Sequence, residues 1–142
     1  MWSDYVSRKL AIAMLALVAG IPVAFGQPLK SKIDVPVMAG AEAEFDACPS
    51  TGTIVGLDPQ GDGFLSVRSG PGGSKYREID RVYNGMQVFI CEYKGPWLGV
   101  VYSSSGETDA CNVSTNWPRR QAYTGPCEYG WIHSRYVGDI AG

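Results

Sequence analysis

Downstream of Gly52 the chain alternates apolar and polar side chains with a period of two, in short stretches cut by turn-forming residues. Residues 53–57, 64–68, 87–93, 97–102, 130–133 and 136–138 carry the pattern. Asp58-Pro59-Gln60-Gly61-Asp62-Gly63, Gly70-Pro71-Gly72-Gly73, Asn84-Gly85 and Lys94-Gly95-Pro96 interrupt it. Period two places successive side chains on opposite faces of a strand, and Gly, Pro, Asn and Asp supply turn conformations. Each stretch is too short for a helix. Five or six short strands cannot bury both faces of one flat sheet, so the pattern predicts an all-β fold curled into a small barrel or sandwich. The segment 103–125 is long and polar for a hairpin connection and reads as an insertion.

The stretch Gly70-Pro71-Gly72-Gly73-Ser74-Lys75 superficially resembles a phosphate-binding loop. Such a loop ends in Gly-Lys-Ser/Thr and leads into a helix whose N-terminus faces the anion. Here Ser74 precedes the lysine, Tyr76 follows it, and Pro71 removes a backbone donor. A turn between strands is the better reading, with the glycines serving backbone geometry.

The first residues change the picture of where the protein works. Arg8 and Lys9 precede an apolar run from Leu10 to Phe25, and Ala24 and Gly26 are small residues placed for a signal peptidase. The run is shorter than the ~20 residues of a membrane span. Residues 1–26 are therefore expected to be a signal peptide cleaved before Gln27, with no membrane span afterwards and an exported, periplasmic or extracellular product. Residues 27–47 show neither period and read as a flexible leader to a single domain at 48–142. Roughly 100 residues form a small core that benefits from covalent staples, and four cysteines answer that need in an oxidising compartment. No C-x-x-C pair supports a zinc or redox site. The formal charge of the whole chain is −2. The leader segment carries Asp4, Arg8 and Lys9, so the exported part stands at −3, a poor balance for nucleic-acid binding.

Leu65-Ser66-Val67-Arg68-Ser69-Gly70-Pro71-Gly72 resembles the signature of bacterial Src-homology-3-like domains. Ile79, Val82, Asn84-Gly85, Val88, Trp97, Val100, Gly130-Trp131-Ile132 and Tyr136-Val137 fall where that family has its later pattern. The resemblance covers about Gly52 to Ile140. It implies a small, strongly bent SH3-like barrel and a non-catalytic module that binds peptides or cell-wall polymer. The insertion at 103–125 and the four cysteines depart from the family pattern, so the insertion either covers or remakes the binding groove.

Four cysteines allow three pairings. Cys111 and Cys127 bracket the insertion, which favours Cys111–Cys127 and leaves Cys48–Cys91; the other pairings would dock the insertion on the first strand.

His133, the only histidine, has no second histidine or free thiol to complete a catalytic or metal set and is expected to be solvated or structural. Asp58 and Asp62-Gly63 match part of a calcium loop, but Ser69 stands where a bidentate glutamate is required, so a hairpin turn is expected. Asn112-Val113-Ser114 is a glycosylation triplet that matters only for export by a eukaryote. No metal and no cofactor are expected. The remaining signal is aromatic. Tyr and Trp offer rigid apolar faces with polar tips, suited to peptide or sugar recognition. Trp131 is expected in the core and Trp97 either there or as a groove wall. The candidate ligand-binding set is Arg68, Tyr76, Trp97, Tyr102, Tyr123 and Arg135, the two arginines serving as a carboxylate fork unless they are simply solvated. The expected partner is a peptidoglycan peptide or an envelope protein. A protein inhibitor or envelope assembly factor, using the insertion as its contact, is the alternative.

Overall fold

The structure is a computed structural model that describes residues 32–142 and the isolated Gly20. Gly20 apart, the expected signal peptide lies outside the described residues. Nine strands run in chain order as β1 (Met38–Ala39), β2 (Ser50–Ile54), β3 (Leu65–Arg68), β4 (Glu78–Val82), β5 (Gln87–Lys94), β6 (Trp97–Tyr102), β7 (Gln121–Ala122), β8 (Glu128–His133) and β9 (Val137–Ala141). Two 3-10 turns, Asp109–Cys111 and Ser134–Tyr136, complete the described elements. The fold is all-β. β1 pairs with β7, and the other seven strands form one sheet in the order β4-β3-β8-β6-β5-β2-β9. That sheet is open, with β4 and β9 at its two ends.

The turns explain the strand ends. Gly56 takes φ +75°, and Leu57 leaves the sheet, its N–H donating to Asn84 Oδ1 at 3.0 Å and its carbonyl accepting from Asn84 Nδ2 at 2.9 Å. The predicted stretch 53–57 is therefore shifted towards the N-terminus in β2. At Asp58 the carboxylate accepts from the Gln60 N–H at 2.8 Å and the carbonyl from Gly61 at 3.0 Å, an Asx-type turn. After β3, a Cβ on Gly70 would lie 2.5 Å from the Tyr76 ring, so this glycine permits a close approach. The stretch 136–138 begins as a 3-10 turn before β9. β4 escaped the sequence reading because three of its five residues are charged and only Ile79 and Val82 are apolar.

Every strand of the large sheet sends side chains into one apolar cluster: Ile54, Leu65, Val67, Val82, Val88, Ile90, Leu98, Val100, Tyr102 and Ile132, with Val137 packed against it. The opposite face of β5–β6–β8 carries a second cluster, in which Phe89 and Val101 meet Ala39, Ala47, Cys48, Cys111, Val113 and Tyr123. Strands buried on both faces read as continuous apolar runs, here Val88-Phe89-Ile90 and Leu98 to Tyr102. Gly99 lies between the layers on this face: a Cβ there would sit 2.9 Å from Glu92 Cγ and 3.2 Å from Val37 Cγ1.

The second cluster corrects the expectation of a flexible leader through residue 47. Within its described part, Val37 and Ala39 are fully buried, the Val35 carbonyl accepts from Trp131 Nε1 at 2.8 Å, and the Met38 N–H donates to Glu92 Oε1 at 3.0 Å. Pattern reading failed there because pairing with β7, across a distant part of the chain, orders these residues. The insertion lies over the same face. Two disulfides, Cys48–Cys91 and Cys111–Cys127, join the second layer, and among the described residues no free cysteine remains. Both match the pairing favoured from the sequence. The insertion nonetheless docks on the outer face, through buried Tyr123 and Cys111 and through Arg120, which pairs with Glu92, while β7 pairs with β1. Among the described residues no helix is long and apolar enough to cross a membrane.

Candidate functional site

The six residues singled out from the sequence do not converge on one site. Tyr123 is buried: its hydroxyl donates to the Cys111 carbonyl at 3.0 Å and accepts from the Cys127 N–H at 3.2 Å, and its ring stacks parallel to Trp117. Burial pushes its hydroxyl pKa up. Tyr102 is buried in the first cluster, with its hydroxyl donating to Asp80 Oδ2 at 2.7 Å. Burial first and Asp80 second drive its pKa far above the usual tyrosine range. Neither ring is exposed as a surface platform, which corrects their expected role as exposed ligand-binding rings. The apolar demand of two clusters took them into the interior.

Arg68 and Tyr76 do come together, as a clamp on the loop after β3. Arg68 Nη1 donates to the Tyr76 carbonyl at 3.0 Å, and the Tyr76 ring covers Gly70 and Gly72. Trp97 is half-buried at the start of β6 and meets the His133 ring edge-on at 5.2 Å. His133 Nδ1 accepts from the Arg135 N–H at 3.1 Å, closing the turn into the 3-10 segment. The exposed Arg135 guanidinium lies 5.8 Å from the Tyr136 ring. Trp97 and Arg135 are thus joined through His133 at one end of the sheet, while Arg68 holds a loop elsewhere. They form no shared carboxylate fork.

A broad depression lies between β4 and the loop that opens the insertion. One half, about 550 Å³, is lined by Ile79, Asp80, Arg81, Tyr83, Met86 and Ser104 among others. The other, about 540 Å³, runs past Asn84, Gln87, Ser103, Ser105 and Thr108. Met86 and Ser104 line both halves, so the two lie side by side. Its floor is the buried Tyr102 with the half-buried Ile79 and Met86; its lip is Tyr83, 51% exposed. The tight turn at Asn84-Gly85 sets that lip. Gly85 has φ +87°, its N–H donates to the Ile54 carbonyl at 2.8 Å, and Met86 N–H donates to the Tyr83 carbonyl at 3.1 Å. Tyr83 and Met86 therefore flank a reversed chain at the rim.

The charged groups of this wall are paired with one another. Glu78 accepts from Ser66 Oγ and from Arg81 Nε at 2.7 Å, contacts that hold its carboxyl below the usual range, Ser66 first. The Arg81 guanidinium lies 3.8 Å from the Phe64 ring centre. Asp80 accepts from both Tyr102 and the Arg81 N–H, at 2.7 and 2.9 Å.

Sequence reading missed Tyr83, Met86 and Ser104 as a group. The available signal was two large side chains flanking Asn84-Gly85, since residues beside a tight turn project at a rim. Among the described residues no group of three or more His, Cys, Asp or Glu is disposed to hold a metal. No protein-family model matches the chain, and neither a curated protein nor a solved structure shows significant similarity to it.

Proposed function

We propose that this protein is an exported, non-catalytic binding module built on an SH3-like barrel, and that it recognises a peptide or cell-wall polymer of the bacterial envelope in the groove between β4 and residues 103–108. The observation that carries this reading is the pairing of a half-exposed aromatic lip, Tyr83, with an apolar floor and a long polar wall. Extended ligands bind to such surfaces through ring faces and distributed hydrogen bonds. The barrel is supported by the single cluster to which all seven strands contribute and by the Tyr102–Asp80 hydrogen bond, which links the end of β6 to the terminal strand β4. Export is supported by the N-terminal pattern and by two disulfides, which persist in oxidising compartments. N-terminal sequencing of the secreted protein is expected to begin at Gln27; material still beginning at Met1 would refute export.

A second reading, an inhibitor or envelope assembly factor, draws on Phe45. This ring is 54% exposed, on a loop tied to the insertion by Asn116 Nδ2, which donates to the Glu42 and Phe45 carbonyls at 2.8 and 3.0 Å. A pull-down on purified peptidoglycan beside one on an envelope-protein lysate separates the two. Retention on peptidoglycan that is lost in Tyr83→Ala supports the groove. Capture of an envelope protein that is lost in Phe45→Ala, without peptidoglycan retention, supports the alternative.

A further inference from the structure

We infer that the groove takes a neutral, N-acetylated oligosaccharide, with a sugar face on Tyr83 and an acetamido methyl against Met86 and Ile79. The inference rests on the groove reading above and narrows its ligand. Its basis is the charge inventory of the wall. Glu78, Asp80 and Arg81 face the groove, yet each is engaged within the protein: Glu78 with Ser66 and Arg81, Asp80 with Tyr102 and the Arg81 N–H, and Arg81 with Glu78 and the Phe64 ring. A charged ligand would have to displace these contacts. The other side chains lining the groove are uncharged, and the exposed Glu107 of the neighbouring loop lines an adjacent depression instead. Ser104 and Gln87 are exposed, Thr108 is half-buried, and nothing stands within 4 Å of a Cβ placed on Gly85 or Gly106, so the backbone of both turns is accessible. Hydroxyl and amide groups beside an aromatic face satisfy the many hydroxyls of a sugar while its C–H face covers the ring. The two adjoining halves of the groove suit an extended chain rather than a single small molecule.

The probe is the β-1,4-linked tetramer of N-acetylglucosamine, titrated calorimetrically into the full exported chain, beside an anionic peptide of similar length. The tetramer is expected to bind with an affinity that changes by less than about twofold between roughly 0.02 and 0.5 M salt, as screening leaves uncharged contacts untouched. Tyr83→Ala should weaken it about tenfold, the worth of one ring contact, while Tyr83→Phe retains binding within about threefold. Both variants should melt with the parent, because this ring lies outside the cores. If the peptide binds, the tetramer does not, and Tyr83→Ala weakens the peptide, the saccharide inference is overturned while the groove reading stands. Binding of either probe that Tyr83→Ala leaves unchanged overturns both.

Discussion

The two faces of the β5–β6–β8 sheet are filled by different kinds of element. The inner face is packed by the strands of the large sheet itself, of which β3–β4 and β5–β6 pair as sequence neighbours while β2–β5, β2–β9, β3–β8 and β6–β8 pair across longer separations. The outer face is packed by segments from far along the chain. Trp131 reaches Val35 across 96 residues, Glu92 reaches Met38 across 54, and Cys48 reaches Cys91 across 43. Contacts of such separation carry a larger chain-entropy cost, and this face holds both disulfides and the ion pair of buried Glu92 with exposed Arg120. The comparison bears on function. Tyr123, which looks like a binding ring in the sequence, is consumed with Trp131 in sealing the outer face, whereas the groove beside β4 keeps its ring exposed.

Breaking the seal should have the largest effect. Replacing Cys48 and Cys91 by Ala should lower unfolding free energy by about 4 kcal/mol, and replacing Cys111 and Cys127 by about 3 kcal/mol, because the first bridge closes the longer loop. Urea titration of both double variants checks the size and the order. Next comes Arg120→Ala. It leaves Glu92, only 7% exposed, without the guanidinium 2.8 Å away, and should cost about 2 kcal/mol in the same assay. Glu92→Gln should cost less, since no unpaired carboxylate is then buried.

Tyr102→Phe tests the inner face, at about 1 kcal/mol near neutral pH for the lost hydrogen bond to Asp80. Its pH dependence is sharper. The folded pKa of Tyr102 is raised above the unfolded value near 10, so the unfolded chain ionises first and stability falls as pH rises above about 10. Tyr102→Phe should remove up to about 1.4 kcal/mol per pH unit of that fall, leaving the smaller share from Tyr123. Thermal melts from pH 9 to about 11 read the difference, since only the slope of the alkaline limb should change while the neutral-pH loss is constant. Trp97→Ala should act least on the cores. The ring is half-buried against His133 alone among the aromatic contacts, and its loss should cost about 1 kcal/mol with groove binding unchanged.

Much of the inner face was legible. β3, β5 and β6 follow from period-two stretches bounded by Gly, Pro and Asn, because such strands bury alternate residues and turns punctuate them. Both disulfides followed from the polar segment that Cys111 and Cys127 bracket. β4 was not legible, as its charged residues pair with one another at an edge and leave only a weak apolar trace. Nor was β1, two residues long and ordered by β7. The candidate site failed for a related reason. Tyrosine is chosen for cores and for surfaces alike, and only the position of the chain reversal at Asn84-Gly85 separates Tyr83 from Tyr102.

Ligand bound at the open rim should leave the sealed outer face undisturbed. Amide-resolved NMR of the exported chain, titrated with soluble peptidoglycan fragments, tests this directly. Shifts should concentrate at residues 83–87 and 103–108, with Phe45 and residues 117–121 unmoved. Shifts confined to Phe45 and residues 117–121, with the rim silent, would contradict it.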